Sequence, residues 1–515
     1  MKNLIEISKI VTKKKVKKIE IFDDHSLKHK NSKFNEFYEA LQANKFRNDR
    51  DAATFLYDCS PTDDKYRQLK SRFRKRLLNT LFFLDVNLPS TSSYDRAYYS
   101  CNKDWTLVKI LISNGADATA QTQARSILTT ALKYKFADVI VNCARILRRY
   151  AAENGEEKYY EEYDRHIKQY SNVLEAEIRS EELYQRVIIN YPKPESENEN
   201  LSERIDTYCE ALVGLSEMYD SPVVAYNMYL VWTFRYEMLR EYDAMLEVCD
   251  KAIHYIESDK NVYQAEKLAT FLLKKMTAYL HLRDWTNGQT NAERASAVYE
   301  TGSREWYTFM EYYFLLAMYT ENYLPAMAIL NRAMDHARFR KLPTMLREKW
   351  RIFEMYLHFI AHLYGNDMPV LAQQKRKTFR LNRFLEETFI YSKEQRIYTI
   401  HMLVGQVLFY VLKNERMAAH ERVEKLKSYA NRQLRREEYY RTVQFIRMLQ
   451  QFSKADFQLD ALTSNTKYYD RLVEHPHRYR GLIVELEVIP YEKLWNLMLE
   501  MQERFMARRR LRMAR

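Results

Sequence analysis

Apolar and polar positions recur with a helical period along most of this chain. In residues 321–337, ENYLPAMAILNRAMDHA, the positions Tyr323, Ala326, Leu330 and Ala333 follow one another at steps of three, four and three. This spacing places the four side chains on one face of an α-helix. The small residues on that face predict a helix that packs closely against a neighbour.

The same pattern, an aromatic residue followed by apolar or small residues at offsets of three, seven and ten, occurs at other places. The further sets are Phe136, Val139, Cys143 and Ile146; Tyr242, Met245, Cys249 and Ala252; and Trp285, Gly288, Ala292 and Ala295. The aromatic positions 242, 285 and 323 are 43 and 38 residues apart. A repeat of about 34 to 47 residues built from helix pairs is typical of an α-solenoid. We therefore predict an all-α fold, an α-solenoid of helix hairpins.

Small residues in these sets have a physical reason. Two packed helices approach to about 8–10 Å, and the shorter distance requires Ala or Gly at the crossing. Asp104, Asp284 and Asn322 stand just before aromatic residues and are expected to be N-caps. Pro325 then lies in the first turn of its helix, where a missing N–H costs little.

This half-repeat resembles the second helix of a tetratricopeptide repeat. The resemblance covers residues 204–340, and more loosely 95–150 and 395–435. It departs in the first helix, where larger residues replace the family's small one: Thr233, Met276 and Phe314. The resemblance implies stacked helix hairpins with a concave surface that binds a protein partner. The overall composition is also similar to that of helical-repeat proteins of the Bacteroidetes, which implies no activity.

Five regions are predicted along the chain. They are residues 1–90, an N-terminal strand with amphipathic helices; 91–192, helical hairpins and a long helix; 204–365, the tetratricopeptide-like array; 366–474, C-terminal helical repeats; and 475–515, a terminal strand, a helix and a basic tail. The one evident linker is NYPKPESENENLSE, residues 190–203, which is polar and contains two prolines.

Short β-strands are predicted near both termini. VKKIEIFD (16–23) and LIVELEVIP (482–490) alternate apolar with charged residues, which is the pattern of a strand. Because a lone strand is not stable, we expect the two segments to pair, either within one chain or across a homodimer.

Composition supports a helical protein in a reducing compartment. Eight Gly and ten Pro in 515 residues are few, and sheets and long loops need more of both. The five cysteines lie far apart, with no C-x-x-C pair. No 18 apolar residues occur in succession, and the N-terminus lacks a secretory signal. We expect a cytoplasmic protein without a membrane span.

Candidate catalytic chemistry is sparse. The phosphate-binding and nucleophile motifs rich in glycine do not occur. His358 and His362 lie one helical turn apart, a geometry that can hold Zn²⁺, but no third ligand or general-base Glu accompanies them. A structural role for this pair is the simpler interpretation. We predict that the protein is not an enzyme, and expect no cofactor and no metal site.

Positive charge is concentrated in a few places. The net charge is +13, and residues 1–20 and 501–515 each contribute +5. Residues 65–76, 375–383 and 506–515 are rich in Lys and Arg, which could neutralise phosphates or an acidic partner, although helical clusters can also be solvated faces. The candidate contacts are Arg72, Arg74, Lys75, Arg76, Lys375, Arg376, Lys377, Arg508, Arg509, Arg510 and Arg512.

Two functions remain open at this point, beside a third in which the protein is structural and self-assembles through its terminal strands. The first is a protein–protein interaction scaffold or adaptor that holds a protein partner in the concave face of the array. Its candidate contacts are polar or aromatic positions on first helices: Tyr226, Tyr229, Arg235, Lys274, Tyr307, Tyr312 and Arg347. The alternative is nucleic-acid or ribonucleoprotein binding through the basic helices and the Arg-rich tail.

Overall fold

The computed structural model describes most of the chain. It covers residues 4–5, 32–43, 45–46, 48–81, 92–193, 199–365, 379–388, 396–434, 437–458 and 466–513, with the backbone alone at 199, 200, 202 and 507–513. The chain divides into two compact units, Met1–Asn172 and Val173–Arg515. The division falls within a long helix, before the linker at 190–203.

The first unit is helical. Its helices are α1 (Lys33–Gln42), α2 (Asp49–Tyr57), α3 (Asp64–Thr80), α4 (Ser93–Ser113), α5 (Asp117–Tyr134), α6 (Ala137–Glu153) and the start of α7 (Glu157–Asn190). One core lies among α1–α3, where the rings of Phe37 and Phe73 are 4.8 Å apart. A second core lies among α4–α7 and contains Ala124, Cys143 and Leu147.

The second unit continues in the same way. After the end of α7 come α8 (Glu199–Met218), α9 (Pro222–Leu239), α10 (Tyr242–Ser258), α11 (Ala265–Leu282), α12 (Trp285–Val298), α13 (Arg304–Tyr319), α14 (Tyr323–Met334), α15 (Thr344–Leu363), α16 (Leu381–Glu386), α17 (Arg396–Leu412), α18 (Arg416–Gln433), α19 (Tyr440–Lys454), α20 (Lys467–Glu474) and α21 (Tyr491–Met513). Single 3₁₀ turns occur at Phe339–Lys341, Glu437–Tyr439 and Ile483–Glu485. Helices that follow one another in sequence pack together, and one large apolar core joins α9 to α21.

The residues of the repeated pattern are buried as predicted. Tyr323, Ala326, Leu330 and Ala333 all lie on the covered face of α14, and no more than 4 % of any of them is exposed. The predicted all-helical architecture is therefore confirmed for the described residues, in a form consistent with a helical-repeat protein.

Gly288 shows why the pattern uses small residues. A Cβ atom at this position of α12 would lie 2.2 Å from Cδ2 of Leu316 on α13 and 3.5 Å from Cβ of Tyr279 on α11. The second helix of this hairpin therefore contacts the helices before and after it at close range. In the first helices bulk is needed instead, since the ring of Phe314 on α13 stacks 4.9 Å from that of Phe353 on α15.

The predicted N-caps have mixed outcomes. The side chain of Asp284 accepts a hydrogen bond from the Asn287 amide at 3.0 Å, so this cap is confirmed. Asn322 occupies the N-cap position of α14 without a side-chain bond to the helix. The cap at Asp104 was wrong, because α4 begins eleven residues earlier, after the true cap Ser92.

The strand predicted over 482–490 was also wrong, and no strand occurs in the part of the chain that the structure describes. Ile483–Glu485 forms a 3₁₀ turn, and the residues after it are not helical. The two glutamates of this segment do not mark a solvent-facing side. Glu487 is buried, Glu485 is half-buried, and each carboxylate has an arginine partner. The expected partner strand, 16–23, lies outside the described residues. The predicted pairing of two strands therefore has no strand at 482–490, and the homodimer stays a prediction.

Candidate partner-binding face and the loop that covers it

A loop of the chain itself lies against the first helices of the array. Residues 475–490, here called the inner loop, connect α20 to α21 and contact α9, α11, α13 and α19. We call the side of these helices that the inner loop contacts the inner face. This is the kind of surface on which the sequence predicted an external partner.

The tip of the inner loop, residues 477–485, inserts one aromatic side chain between the helices of the inner face. Tyr479 is fully buried, and its hydroxyl donates a hydrogen bond to the carboxylate of Glu311 on α13. Its ring lies 5.4 Å from that of Tyr312, and its carbonyl oxygen is 3.2 Å from Nε2 of His281 on α11. Side chain and backbone of the tip are thus both held.

Two arginines beside this tyrosine reach the ends of helices. Arg478 donates to the carbonyl oxygen of Glu237 in the last turn of α9, at 3.1 Å. Arg480 donates to the carbonyl oxygen of Tyr191, which follows the end of α7, at 2.8 Å, and its Nε donates to Glu485 at 2.6 Å. Carbonyl groups at helix C-termini lack partners within the helix and carry partial negative charge. The positive charges of the tip therefore match their surroundings.

Beneath the tip, the inner face carries two buried carboxylates. Nζ of Lys274 lies 2.7 Å from Glu237, and Nζ of Lys349 lies 3.0 Å from Glu311. In each pair, the lysine comes from the first helix of the next hairpin. Burial acts to raise the pKa of Glu237, but the charge and the hydrogen bond of Lys274, together with the charge of Arg478, leave the pKa below its ordinary value. The Glu237 carboxylate is therefore a fixed hydrogen-bond acceptor, and Glu311 accepts from Lys349 at 3.0 Å.

The base of the inner loop is held by a second charged cluster. Arg441 on α19 lies 2.7 Å from Glu487 and 2.8 Å from Glu492, and it also donates to the carbonyl oxygen of Leu472 at 2.8 Å. The carbonyl oxygen of Glu487 accepts a hydrogen bond from the Tyr319 hydroxyl at 2.6 Å. Residues 486–491 are all buried, whereas only Tyr479 is buried between 477 and 485.

Some predicted partner contacts lie at this face. Tyr312 touches the loop, and Lys274 reaches it through Glu237. Tyr226 and Tyr229 on α9 pack against α11 instead; both are half-buried, and their ring centres lie 5.7 and 6.5 Å from that of Phe271.

The other three predicted contacts lie elsewhere. Arg235 pairs with Asp206 of α8. Tyr307 is buried inside the array, and its hydroxyl donates to the carbonyl oxygen of Ala333 at 3.2 Å. Arg347 is half-buried and donates to the Thr344 hydroxyl at 3.2 Å. The structure brings together Tyr312 and Lys274, and no observation tests a partner role for any of the seven.

Sequence reasoning missed the central residues of this site, Glu237, Glu311 and Tyr479. The segment EHPHRYRG, residues 474–481, has no periodic pattern of apolar positions that predicts a contact with a distant helix. One local signal was present, because Gly481 is one of only eight glycines in the chain. It has φ +87°, and a Cβ there would lie 3.0 Å from the Tyr312 hydroxyl. A glycine placed after Arg-Tyr-Arg therefore marks a turn pressed against a neighbouring helix.

The basic clusters are described only in part. Arg72, Arg74 and Lys75 are exposed on α3, while Arg76 is half-buried with its guanidinium 5.1 Å from the centre of the Phe34 ring. Lys375, Arg376 and Lys377 lie outside the described residues. Arg508, Arg509, Arg510 and Arg512 belong to α21, whose described backbone is helical there.

The histidine pair has contacts of its own. Nδ1 of His362 donates to the carbonyl oxygen of His358 at 2.7 Å, and the His358 ring stacks 4.4 Å from Phe379. Within the described ranges, no group of three or more His, Cys, Asp or Glu side chains could hold a metal ion. All five cysteines are free thiols, and burial raises the pKa of Cys101 to about 11.

Among the described helices, none has both the length and the apolar character that crossing a membrane requires. No protein family, curated protein or solved structure matches the chain. The fold itself defines the class, since the described residues form consecutively packed helices that are consistent with a helical-repeat protein.

Proposed function

We propose that this protein is a non-enzymatic interaction scaffold that binds an extended segment of a protein partner on the inner face of its helical array. The observation that carries the proposal is the inner loop. The first helices of successive hairpins already hold a non-helical segment, through its backbone as well as its side chains. Helical arrays bind partner peptides by the same kinds of contact. The tetratricopeptide-like pattern of residues 204–340 agrees with this role.

Occupation by the chain's own loop adds a condition to this function. A partner segment that binds the inner face must displace the tip of the loop, residues 477–485, or bind beside it. A tethered segment competes at a high effective concentration, on the order of millimolar for a short flexible connection. We therefore expect the full chain to bind such a partner weakly until the tip is released.

The experiment is to pan random twelve-residue peptides displayed on phage against the full chain carrying Arg478→Ala and Arg480→Ala. These changes remove the hydrogen bonds from the tip to the carbonyl groups of Glu237, Tyr191 and Lys193. We expect enriched peptides that bind with micromolar affinity and that slow amide hydrogen exchange in α9, α11 and α13. Enrichment of no binding peptide, or protection confined to other helices, would contradict the proposed function.

A second candidate function, nucleic-acid binding, is favoured by the outer side of α3. Lys65, Arg67, Arg72, Arg74 and Lys75 are exposed there, and residues 65–76 contain no acidic residue. Large apolar residues of the same stretch, such as Phe73, point into the core. A face with charge and without an apolar anchor suits phosphates better than a protein partner. Binding of a labelled 20-nucleotide RNA that weakens steeply between about 50 and 200 mM salt would support it.

A further inference from the structure

We infer that the inner face is specific for segments in which an aromatic hydroxyl-bearing residue is flanked by arginines, and that Arg478, Tyr479 and Arg480 occupy that site within the chain. This inference rests on the proposed function and names the chemical class of the partner segment. It follows from what the inner face offers to the tip, taken contact by contact.

Three side-chain donors of the tip find acceptors on neighbouring elements, and the guanidinium of Arg480 also pairs with Glu485 of the tip itself. Arg478 and Arg480 donate to the carbonyl oxygens of Glu237 and Tyr191, and Tyr479 donates to the carboxylate of Glu311. A segment with acidic side chains at these positions would place negative charge against carboxylates and helix C-termini, which is unfavourable. The two flanking positions therefore require positively charged side chains that donate hydrogen bonds. Arginine meets this requirement, because its guanidinium carries several N–H donors.

The central position requires an aromatic ring with a hydroxyl group. The pocket is deep, since the Tyr479 side chain is fully buried and one wall is the ring of Tyr312. Glu311, already paired with Lys349, accepts the Tyr479 hydroxyl at the bottom of the pocket. Phenylalanine would fill the space but would leave a buried carboxylate oxygen with one hydrogen bond fewer, which is costly.

The tip is the part of the loop that can leave. Its arginines and the residues 482–485 are only half-buried, whereas Leu486, Val488 and Ile489 belong to the large core of the unit. Arg441 fixes Glu487 and Glu492 independently of the tip. The second unit therefore retains most of its core when residues 477–485 are displaced by a segment with the same chemistry.

The test uses a fluorescein-labelled peptide with the sequence of residues 477–485, HRYRGLIVE, and full-length protein. Fluorescence anisotropy measures its binding to the wild type, to Tyr479→Ala and to the double variant Arg478→Ala/Arg480→Ala. The first variant empties the aromatic pocket, and the second keeps the tyrosine but removes its flanking contacts. We expect both variants to bind the peptide at least tenfold more tightly than the wild type, in which the tip competes.

Two controls make the result specific. A peptide with both arginines replaced by glutamate should bind at least tenfold more weakly to each variant. The protein variant Arg294→Ala/Arg432→Ala, which removes two exposed arginines from second helices, should bind the natural peptide no better than the wild type. Circular dichroism and thermal melting establish whether each variant is folded. If Tyr479→Ala does not fold, the variant Arg478→Ala/Arg480→Ala still tests the inference.

Several results would overturn the inference. Equal binding of the natural and charge-reversed peptides would refute the requirement for arginine, and failure of both variants to exceed the wild type would refute the tip as an occupant. If panning yields peptides that protect the inner face but lack an arginine-flanked aromatic residue, the scaffold function stands and this specificity is wrong. If panning yields no binder at all, the proposed function itself fails.

Discussion

Tyr479 and Glu311 are 168 positions apart in the sequence, and the hydroxyl of the first donates a hydrogen bond to the buried carboxylate of the second. Glu311 also accepts from Lys349 at 3.0 Å. The three side chains come from the inner loop, α13 and α15. Their contact joins the late part of the chain to the middle of the array.

Tyr479→Phe should lower the free energy of unfolding by about 1–2 kcal/mol, because the ring remains but a buried carboxylate loses a hydrogen bond. Tyr479→Ala should cost about 3–5 kcal/mol, since it also leaves a cavity. Urea denaturation measures both values. Tyr159→Phe, at an exposed tyrosine, is the matched control and should change little. Equal small effects at both tyrosines would mean that the hydroxyl of Tyr479 is unimportant.

Lys274→Met should destabilise the protein by about 3–5 kcal/mol, because it leaves the carboxylate of Glu237 buried without its partner. Adding Glu237→Gln to the same chain should recover part of this loss, since the uncompensated charge is then gone. Urea denaturation of the single and double variants provides the comparison. Arg338→Met, which breaks an exposed pair with Glu300, should cost less than about 1 kcal/mol. A double variant less stable than Lys274→Met alone would contradict this account.

Gly288→Ala should be destabilising, although alanine is the better helix former. The new Cβ would lie 2.2 Å from Cδ2 of the fully buried Leu316, so α12 and α13 must separate or Leu316 must move, at about 1–3 kcal/mol. Gly214→Ala on α8 is the control, since no atom lies within 4 Å of a Cβ there, and it should stabilise by about 0.5–1 kcal/mol. Thermal melting compares the two. Stabilisation by both changes would show that close packing at 288 is dispensable.

Stability should fall as the pH is lowered from about 6.5 towards 4. Burial lowers the pKa of His281 and of His401 to about 4 in the folded chain, against 6.5 for a histidine in the unfolded chain. Between these values the unfolded state binds more protons, so acid favours unfolding. At about 1.4 kcal/mol per pKa unit, each histidine accounts for about 3 kcal/mol. Urea denaturation at pH 4.5, 5.5, 6.5 and 7.5 measures the trend.

Matched histidine variants locate the source of this pH dependence. His401→Gln should reduce the slope of stability against pH between 4.5 and 6.5, because a group with a strongly lowered pKa is removed. His254→Gln changes an exposed histidine on α10 and should leave the slope as it is. If the two variants have the same slope, the buried His401 does not contribute as expected.

Removing three charges from α3 tests the nucleic-acid candidate. The variant Arg72→Gln/Arg74→Gln/Lys75→Gln should bind a labelled 20-nucleotide RNA more weakly, with the slope of log affinity against log salt reduced by about 2. The control Lys425→Gln/Lys427→Gln/Arg432→Gln removes the same charge from α18, where two of the three residues pair with glutamates, and should change binding little. Equal loss in both variants would indicate a general charge effect, and loss only on removal of residues 508–515 would assign binding to the tail.

Local patterns in the sequence were sufficient for the helices of this protein. Steps of three and four residues placed Tyr323, Ala326, Leu330 and Ala333 on a buried face, and a glycine in the repeated pattern indicated the tight crossing at 288. These contacts lie between neighbouring helices, so a short stretch of sequence contains the pattern that predicts them.

No local sequence pattern predicts the contacts of the inner loop. Arg480 meets the carbonyl oxygen of Tyr191 across 289 positions, and no periodic pattern connects residues so far apart. The alternation in LIVELEVIP predicts a strand because charged residues at every second position are typical of a solvent-facing side. In the folded chain Glu485 and Glu487 are each paired with an arginine instead. A buried charge resembles an exposed one in sequence until its partner is known.

The late position of the inner loop has a consequence for how the protein is made. When a ribosome has released α9 to α15, Glu237 and Glu311 already have their lysines, but the pocket for Tyr479 stays open until residues 475–490 emerge. More than a hundred residues separate the end of α15 from Tyr479, and the pocket is unfilled while they are synthesised. Chains that stop short of residue 491 are the ones we expect quality-control factors to retain.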